Sequence, residues 1–189
     1  DVLAGAKTLF VMPPRELESV SSSFVKTLVG PVGWHWNIKE FLPEAVYSAW
    51  IKKYITQVVS EYLIDKTWTD ENKKNLLKEI FKNYKDRAYH SLEHIVHCLQ
   101  ELQWLISYRA LNAKKIEQIV LALLCHDIIL YSEDKSISDE EQSANWFENF
   151  AKDINYSESK AKIVANMIRK TAYLSTKELP ETEEEKIMC

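Results

Sequence analysis

Between Glu44 and Leu179 the chain has neither a glycine nor a proline; Gly5, Gly30, Gly33, Pro13, Pro14, Pro31, Pro43 and Pro180 all lie outside that stretch. Hairpins and strand crossovers call repeatedly on these two residues for tight turns, whereas helices are broken by them. So long an interval without either is therefore read as all-α. Its apolar residues agree. Leu92, Ile95, Val96, Leu99, Leu102, Leu105 and Ile106 recur at spacings of three and four, which predicts a helix from about Ala88 to Tyr108. Ile116, Ile119, Val120, Leu123 and Leu124 predict a second, from about Asn112 to Tyr131, apolar on most sides and hence central. Further helices are expected near 44–64, 70–83, 139–152 and 158–171. The third of these is introduced by Ser138 with Glu141 three residues on, a capping-box pattern.

Residues 1–43 differ in texture, with Pro13-Pro14, the run Ser19-Val20-Ser21-Ser22-Ser23 and the turn-forming Gly30-Pro31-Val32-Gly33. They are read as an N-terminal extension, partly irregular, and residues 44–189 as one helical domain. Trp34, Trp36 and Trp50 suggest that the extension docks on a core, a protein partner or a second copy of the chain, because tryptophan side chains are usually buried against something. A start at Asp1 instead of Met suggests a fragment.

Charge and cysteine usage narrow the function classes. A formal net charge of -4 argues against a nucleic-acid surface, which normally shows as a basic domain with clustered Lys and Arg. Cys98, Cys125 and Cys189 are too few and too scattered for a disulfide framework or a zinc ribbon, so a reducing cytoplasm is expected. Cys98 and Cys125 are read as small buried residues. No apolar run approaches the roughly 20 residues a membrane span needs, and no secretory signal opens the chain.

The chemistry-bearing residues are concentrated on the two best-defined helices. Tyr89-His90-Ser91-Leu92-Glu93-His94-Ile95 puts two histidines four apart, where a helix would place them on one face. His126-Asp127 follows an apolar run and precedes Ile128-Ile129-Leu130. A carboxylate in such surroundings needs a compensating partner, and a cation is the usual one. Singly, each histidine reads as an ordinary hydrogen-bonded side chain; together, on two central helices, they read as a divalent-metal site. His97, three past His94, is placed in the core or just behind the site.

These residues resemble the HD-domain superfamily of metal-dependent phosphohydrolases, named for the adjacent His-Asp pair. The resemblance implies an HD-type helical bundle in which His94, His126 and Asp127 bind metal. Tyr-His-x-x-x-His is also similar to the corresponding helix of cyclic nucleotide phosphodiesterases, which implies His90 as the general acid. Arg87-Ala88-Tyr89-His90-Ser91-Leu92-Glu93-His94-Ile95, His126-Asp127-Ile128-Ile129-Leu130-Tyr131 and Glu140-Glu141-Gln142-Ser143-Ala144 together resemble a bacterial-type group of HD phosphohydrolases. The likeness runs from about Tyr84 to the end.

The family's last metal ligand is an Asp on a later helix, and no Asp follows Asp153 here. Truncation at the C-terminus is the favoured expectation; substitution by Glu183, Glu184 or Glu185, or loss of activity, are the alternatives. Where related sequences tend to read Asp-Asn-Glu, this one reads Ser138-Asp139-Glu140, and Ala172-Tyr173-Leu174 replaces a segment containing His.

The expected reaction is cleavage of a small phosphate ester, such as a nucleotide, by metal-activated water, with His90 protonating the leaving oxygen. Arg87 either positions the phosphate or forms a surface ion pair with Asp86 or Glu93. Glu140 and Glu141 either orient a metal ligand from behind or serve only the helix cap. The donor set suits Mn, Fe, Zn, Co, Ni or Mg. The rival expectation is a non-catalytic nucleotide-binding or protein-interaction module with a vestigial metal site.

Overall fold

In a computed structural model the described residues are 41–108, 112–134 and 136–172, with Lys39, Thr182, Lys186 and Ile187. They form six helices and, among the described residues, no strand. The fold is all-α. The helices are α1 (Glu44–Tyr62), α2 (Asp70–Asn83), α3 (Leu92–Tyr108), α4 (Ala113–Cys125), α5 (Asp139–Asp153) and α6 (Glu158–Lys170). Trp34, Trp36, Cys189 and Glu183 to Glu185, with nearly all of the expected extension, lie outside the described residues.

Most helix starts follow from side chains that take up the free N–H groups of a first turn. Thr69, Asn112 and Ser138 accept from the amides of Asn72, Lys114 and Glu141 respectively. The capping box at Ser138 is completed on one side only, because the Glu141 carboxylate goes to Arg169 (2.8 Å) on α6. Turns that glycine would normally make are taken by Asp86 and Asn155 at φ of 59° and 57°, residue types that tolerate the left-handed region. Tyr131 adopts φ 58°. Its amide and that of Ser132 are held by the two carboxylate oxygens of Asp139, at 2.7 and 3.2 Å.

Helix α4 is the axle of the fold, packing against α1, α3, α5 and α6, and every residue from Ile116 to Cys125 is buried. α1 contributes the stripe Tyr47, Ile51, Ile55, Val58 and Val59, and α6 contributes Ala161, Val164, Ala165, Met167 and Ile168. One carboxylate lies inside this core. Glu117 accepts from the amides of Ile64 and Asp65 (both 2.9 Å) through Oε2 and from the Tyr156 hydroxyl (2.9 Å) through Oε1. It thereby ties α4 to the chain leaving α1 and to the start of α6. The Lys160–Asp65 ion pair closes the same corner and holds the Asp65 carboxyl down at about 2. Trp50 is half-buried, stacked between Tyr47 and Tyr54 on α1.

Two predicted helix ends are corrected. α3 begins at Leu92, not Ala88, because Ser91 caps it: its Oγ accepts the Glu93 amide at 3.2 Å, and the Tyr89 carbonyl accepts the Ser91 amide at 2.7 Å. α4 ends at Cys125, not Tyr131. The Leu123 carbonyl, which a continuing helix would offer to the Asp127 amide, is instead bonded by His126 Nδ1 at 2.9 Å, and the Asp127 amide donates to the Tyr84 hydroxyl at 3.1 Å.

Candidate metal centre

His90 therefore stands in the bend before α3 and His94 within its first turn, while His126 caps α4 and Asp127 lies one residue beyond. The expectation that His90 and His94 share a helical face is corrected, yet the two do converge. His90 Nδ1 is 2.6 Å from Asp127 Oδ2, His126 Nε2 is 2.8 Å from the same oxygen, and His94 Nε2 is 3.8 Å from it. His94 Nε2 and His126 Nε2 are 3.2 Å apart. All four residues singled out as metal ligands or general acid thus gather at one carboxylate oxygen.

The Leu123 carbonyl can only accept, so His126 Nδ1 carries a hydrogen and Nε2 is turned towards the Asp127 carboxylate. That nitrogen lies 2.8 Å from a carboxylate oxygen and 3.2 Å from a second imidazole nitrogen. Two imidazole nitrogens and a carboxylate oxygen so close call for a proton or a metal ion between them. Burial works against ionisation of Asp127, but hydrogen bonding and charge from His126 and His90 prevail and hold its carboxyl at about 2. Burial, reinforced by the neighbouring His126, lowers His94 to about 4, so its imidazole is neutral at physiological pH. A neutral His94 and an ionised Asp127 are in the protonation states that binding a divalent cation requires.

His90, His94 and Asp127 also form a set whose ligand atoms lie within 4.8 Å of one another. By geometry His126 could serve as the second imidazole ligand in place of His90. His126 Nε2 is directed at both other donors, whereas His90 Nδ1 is engaged in a short hydrogen bond with the carboxylate.

The backbone carrying Asp127 is clamped from three elements. The Arg87 guanidinium donates to the carbonyls of Asp127 and Ile128, the latter at 3.1 Å, and lies 4.8 Å over the Tyr84 ring. Tyr84, 1% exposed at the end of α2, receives the Asp127 amide. Ser143 on α5 takes both the amide and the carbonyl of Ile129 (3.1 and 3.2 Å). Sequence reasoning missed Tyr84 and Ser143 as part of the site. The signal for Tyr84 was its place four residues beyond Ile80 and eight beyond Leu76, on the buried face of α2.

The remaining expectations fall as follows. Arg87 reaches backbone carbonyls and makes no ion pair with Asp86 or Glu93 among the described residues; those carboxylates pair with Lys85 and Lys39. Glu141 is committed to Arg169, and no hydrogen bond or ion pair among the described residues links Glu140 or Glu141 to the histidines. His97 is exposed beside Glu101 (3.6 Å), a correction to its placement in the core, because it sits on the outer face of α3. Cys125 is fully buried, and burial pushes its thiol up. Cys98 is half-buried, its sulfur 3.7 and 3.9 Å from the two His94 nitrogens. A cleft of about 380 Å³ opens beside Arg87, Ala88 and Ser91, and a cavity of about 650 Å³ lies between Glu148, Lys152, Tyr156 and Lys162; neither is lined by a cluster residue.

No helix among the described residues is long and apolar enough to cross a membrane. No protein-family model and no solved structure matches the chain. Over 50 residues it is 50% identical to phosphopantetheine adenylyltransferase of Chromobacterium violaceum, a match that covers 26% of this chain and 30% of that protein. Over 48 residues it is 51% identical to the enzyme of the same name from Neisseria meningitidis serogroup C, covering 25% and 28%. The chain spans less than a third of the length of the curated relatives it matches.

Proposed function

We propose that this helical unit is an HD-type metal-dependent phosphohydrolase acting on a small phosphate ester, with His94, His126 and Asp127 holding a divalent cation and His90 donating a proton to the leaving oxygen. The observation that carries this reading is the meeting of the His94 and His126 Nε2 atoms and Oδ2 of Asp127 within 3.8 Å of one another, with His126 Nδ1 committed to the Leu123 carbonyl. When bound, the cation supplies Lewis acidity and water of lowered pKa. The rest falls to the chain's own residues. Asp127 orients His90 through Nδ1, leaving Nε2, which makes no hydrogen bond among the described residues, to carry and release a proton. Arg87 and Tyr84 fix the peptide of Asp127, so that the carboxylate oxygen stays where the imidazoles meet.

The relatives' shared name brings phosphopantetheine and adenylyl compounds into the set of candidate substrates. The test is a panel of nucleoside monophosphates, cyclic nucleotides, phosphopantetheine and its adenylylated form, offered with Mn, Fe, Zn, Co, Ni or Mg, alongside metal analysis of the purified protein. His126→Ala is expected to lose both metal and turnover, and His90→Ala to keep metal but slow turnover by about 100-fold or more. Metal retention with no turnover of any substrate would transfer the protein to the nucleotide-binding alternative. Failure to retain any of these metals would leave only a hydrogen-bonded cluster.

A further inference from the structure

Tyr89 is 73% exposed, although its ring centroid lies only 5.0 Å from that of His90 and 5.6 Å from that of His94. Its backbone is fixed on both sides. Two residues earlier, Arg87 is bonded to the carbonyls of Asp127 and Ile128; two residues later, Ser91 caps α3 and donates its amide to the Tyr89 carbonyl. The ring meets His90 edge-on, at 83°, and leans over His94 at 31°. One face is thus turned to the metal-ligand imidazole and the other to solvent. The hydroxyl makes no hydrogen bond among the described residues, so no polar contact accounts for this placement. A rigidly mounted aromatic surface at the rim of a phosphoester site offers a planar group a stacking partner at little ordering cost.

We infer that the outward face of Tyr89 stacks a planar aromatic ring of the substrate, so that the ester cleaved is one whose alcohol carries a nucleobase. This rests on the phosphohydrolase reading and narrows its substrate class. Tyr89 is a specificity-determining residue, since a non-aromatic phosphate such as ribose phosphate would meet the same histidines and forgo the stacking.

Two readouts on the full chain separate this inference from the reading beneath it. Adenosine and ribose, neither of which can be hydrolysed, are titrated by ligand-observed NMR against the parent, Tyr89→Phe and Tyr89→Leu. The parent and Tyr89→Phe should bind adenosine in preference to ribose, and Tyr89→Leu should weaken adenosine on the order of 10-fold. With metal present, kcat/KM for adenosine monophosphate should fall in Tyr89→Leu by on the order of 10-fold more than that for ribose phosphate. Equal affinity of the parent for adenosine and ribose, or a preference that survives in Tyr89→Leu, overturns the inference, as does an equal fall for both esters. Tyr89-dependent adenosine binding in a protein that hydrolyses nothing keeps the stacking site and discards the phosphohydrolase.

Discussion

Asp127 is only 8% exposed, yet three imidazoles lie within 3.8 Å of its Oδ2. A buried carboxylate in that position is useful only if its oxygen is held still, and the means of holding it is visible one bond away. Tyr84 takes the amide of Asp127 and Arg87 its carbonyl. Tyr84→Phe removes the acceptor and leaves a buried N–H unpaired, which costs about 1–3 kcal/mol. The expected outcome is a lower urea midpoint by that amount and weaker metal retention, with the helices intact by circular dichroism. Arg87→Lys should act differently, since a lysine keeps the charge but cannot bridge two carbonyls with a planar fork. Metal affinity should drop by about 10-fold, in the range for changes behind a metal ligand. A loss of substrate binding at unchanged metal affinity would instead return Arg87 to the phosphate contact expected from sequence. Neither Tyr84 nor the true partners of Arg87 were legible beforehand, because backbone carbonyls leave no mark in a sequence pattern.

At the scale of helices, the least ordinary feature is a glutamate inside α4. Glu117 is 3% exposed and satisfies two amides and a hydroxyl from two separate parts of the chain. In Glu117→Gln one side-chain oxygen becomes an NH2 group facing donors, so a loss of about 3 kcal/mol in chemical denaturation is expected, hydrogen bonds to an ionised acceptor being the stronger kind. Tyr156→Phe removes one of the three bonds and should cost about 1 kcal/mol. Metal retention should survive in both, because the knot is built on the opposite half of α4 from His126. The helices themselves were well announced. Apolar periodicity and the lack of glycine and proline gave six elements of the right type, with α2, α5 and α6 correct to within a residue at each end. The two ends that miss by more than two residues both fall at the site. There Ser91 and the His126 ring divert hydrogen bonds that a propensity argument assigns to a continuing helix. Local rules failed where side chains were recruited for the cluster, the place where such failure is expected.

For the molecule as a whole, the cluster couples stability to acid and, on the proposed reading, to metal. His94 is lowered from 6.5 to about 4, so between those values the unfolded chain binds the proton and the folded chain does not. Stability of the metal-free protein should therefore fall as pH drops from about 6.5 towards 4. Asp127, lowered from 3.8 to about 2, adds a further loss of the same sign below about 3.8. Urea midpoints of chelator-treated protein across this range should fall with acid, and His94→Gln should flatten the part between 6.5 and 4. A cation bound to the folded state alone adds RT ln(1 + [M]/Kd), about 2.7 kcal/mol at 100 times Kd. If the cation occupies this cluster, protons compete with it, and that increment should shrink over the acid range in which His94 and Asp127 take up protons. Binding that raises the midpoint equally at every pH would place the metal elsewhere on the protein. An increment that disappears on acidification, and in His126→Ala at all pH values, assigns it to the imidazoles of α3 and α4.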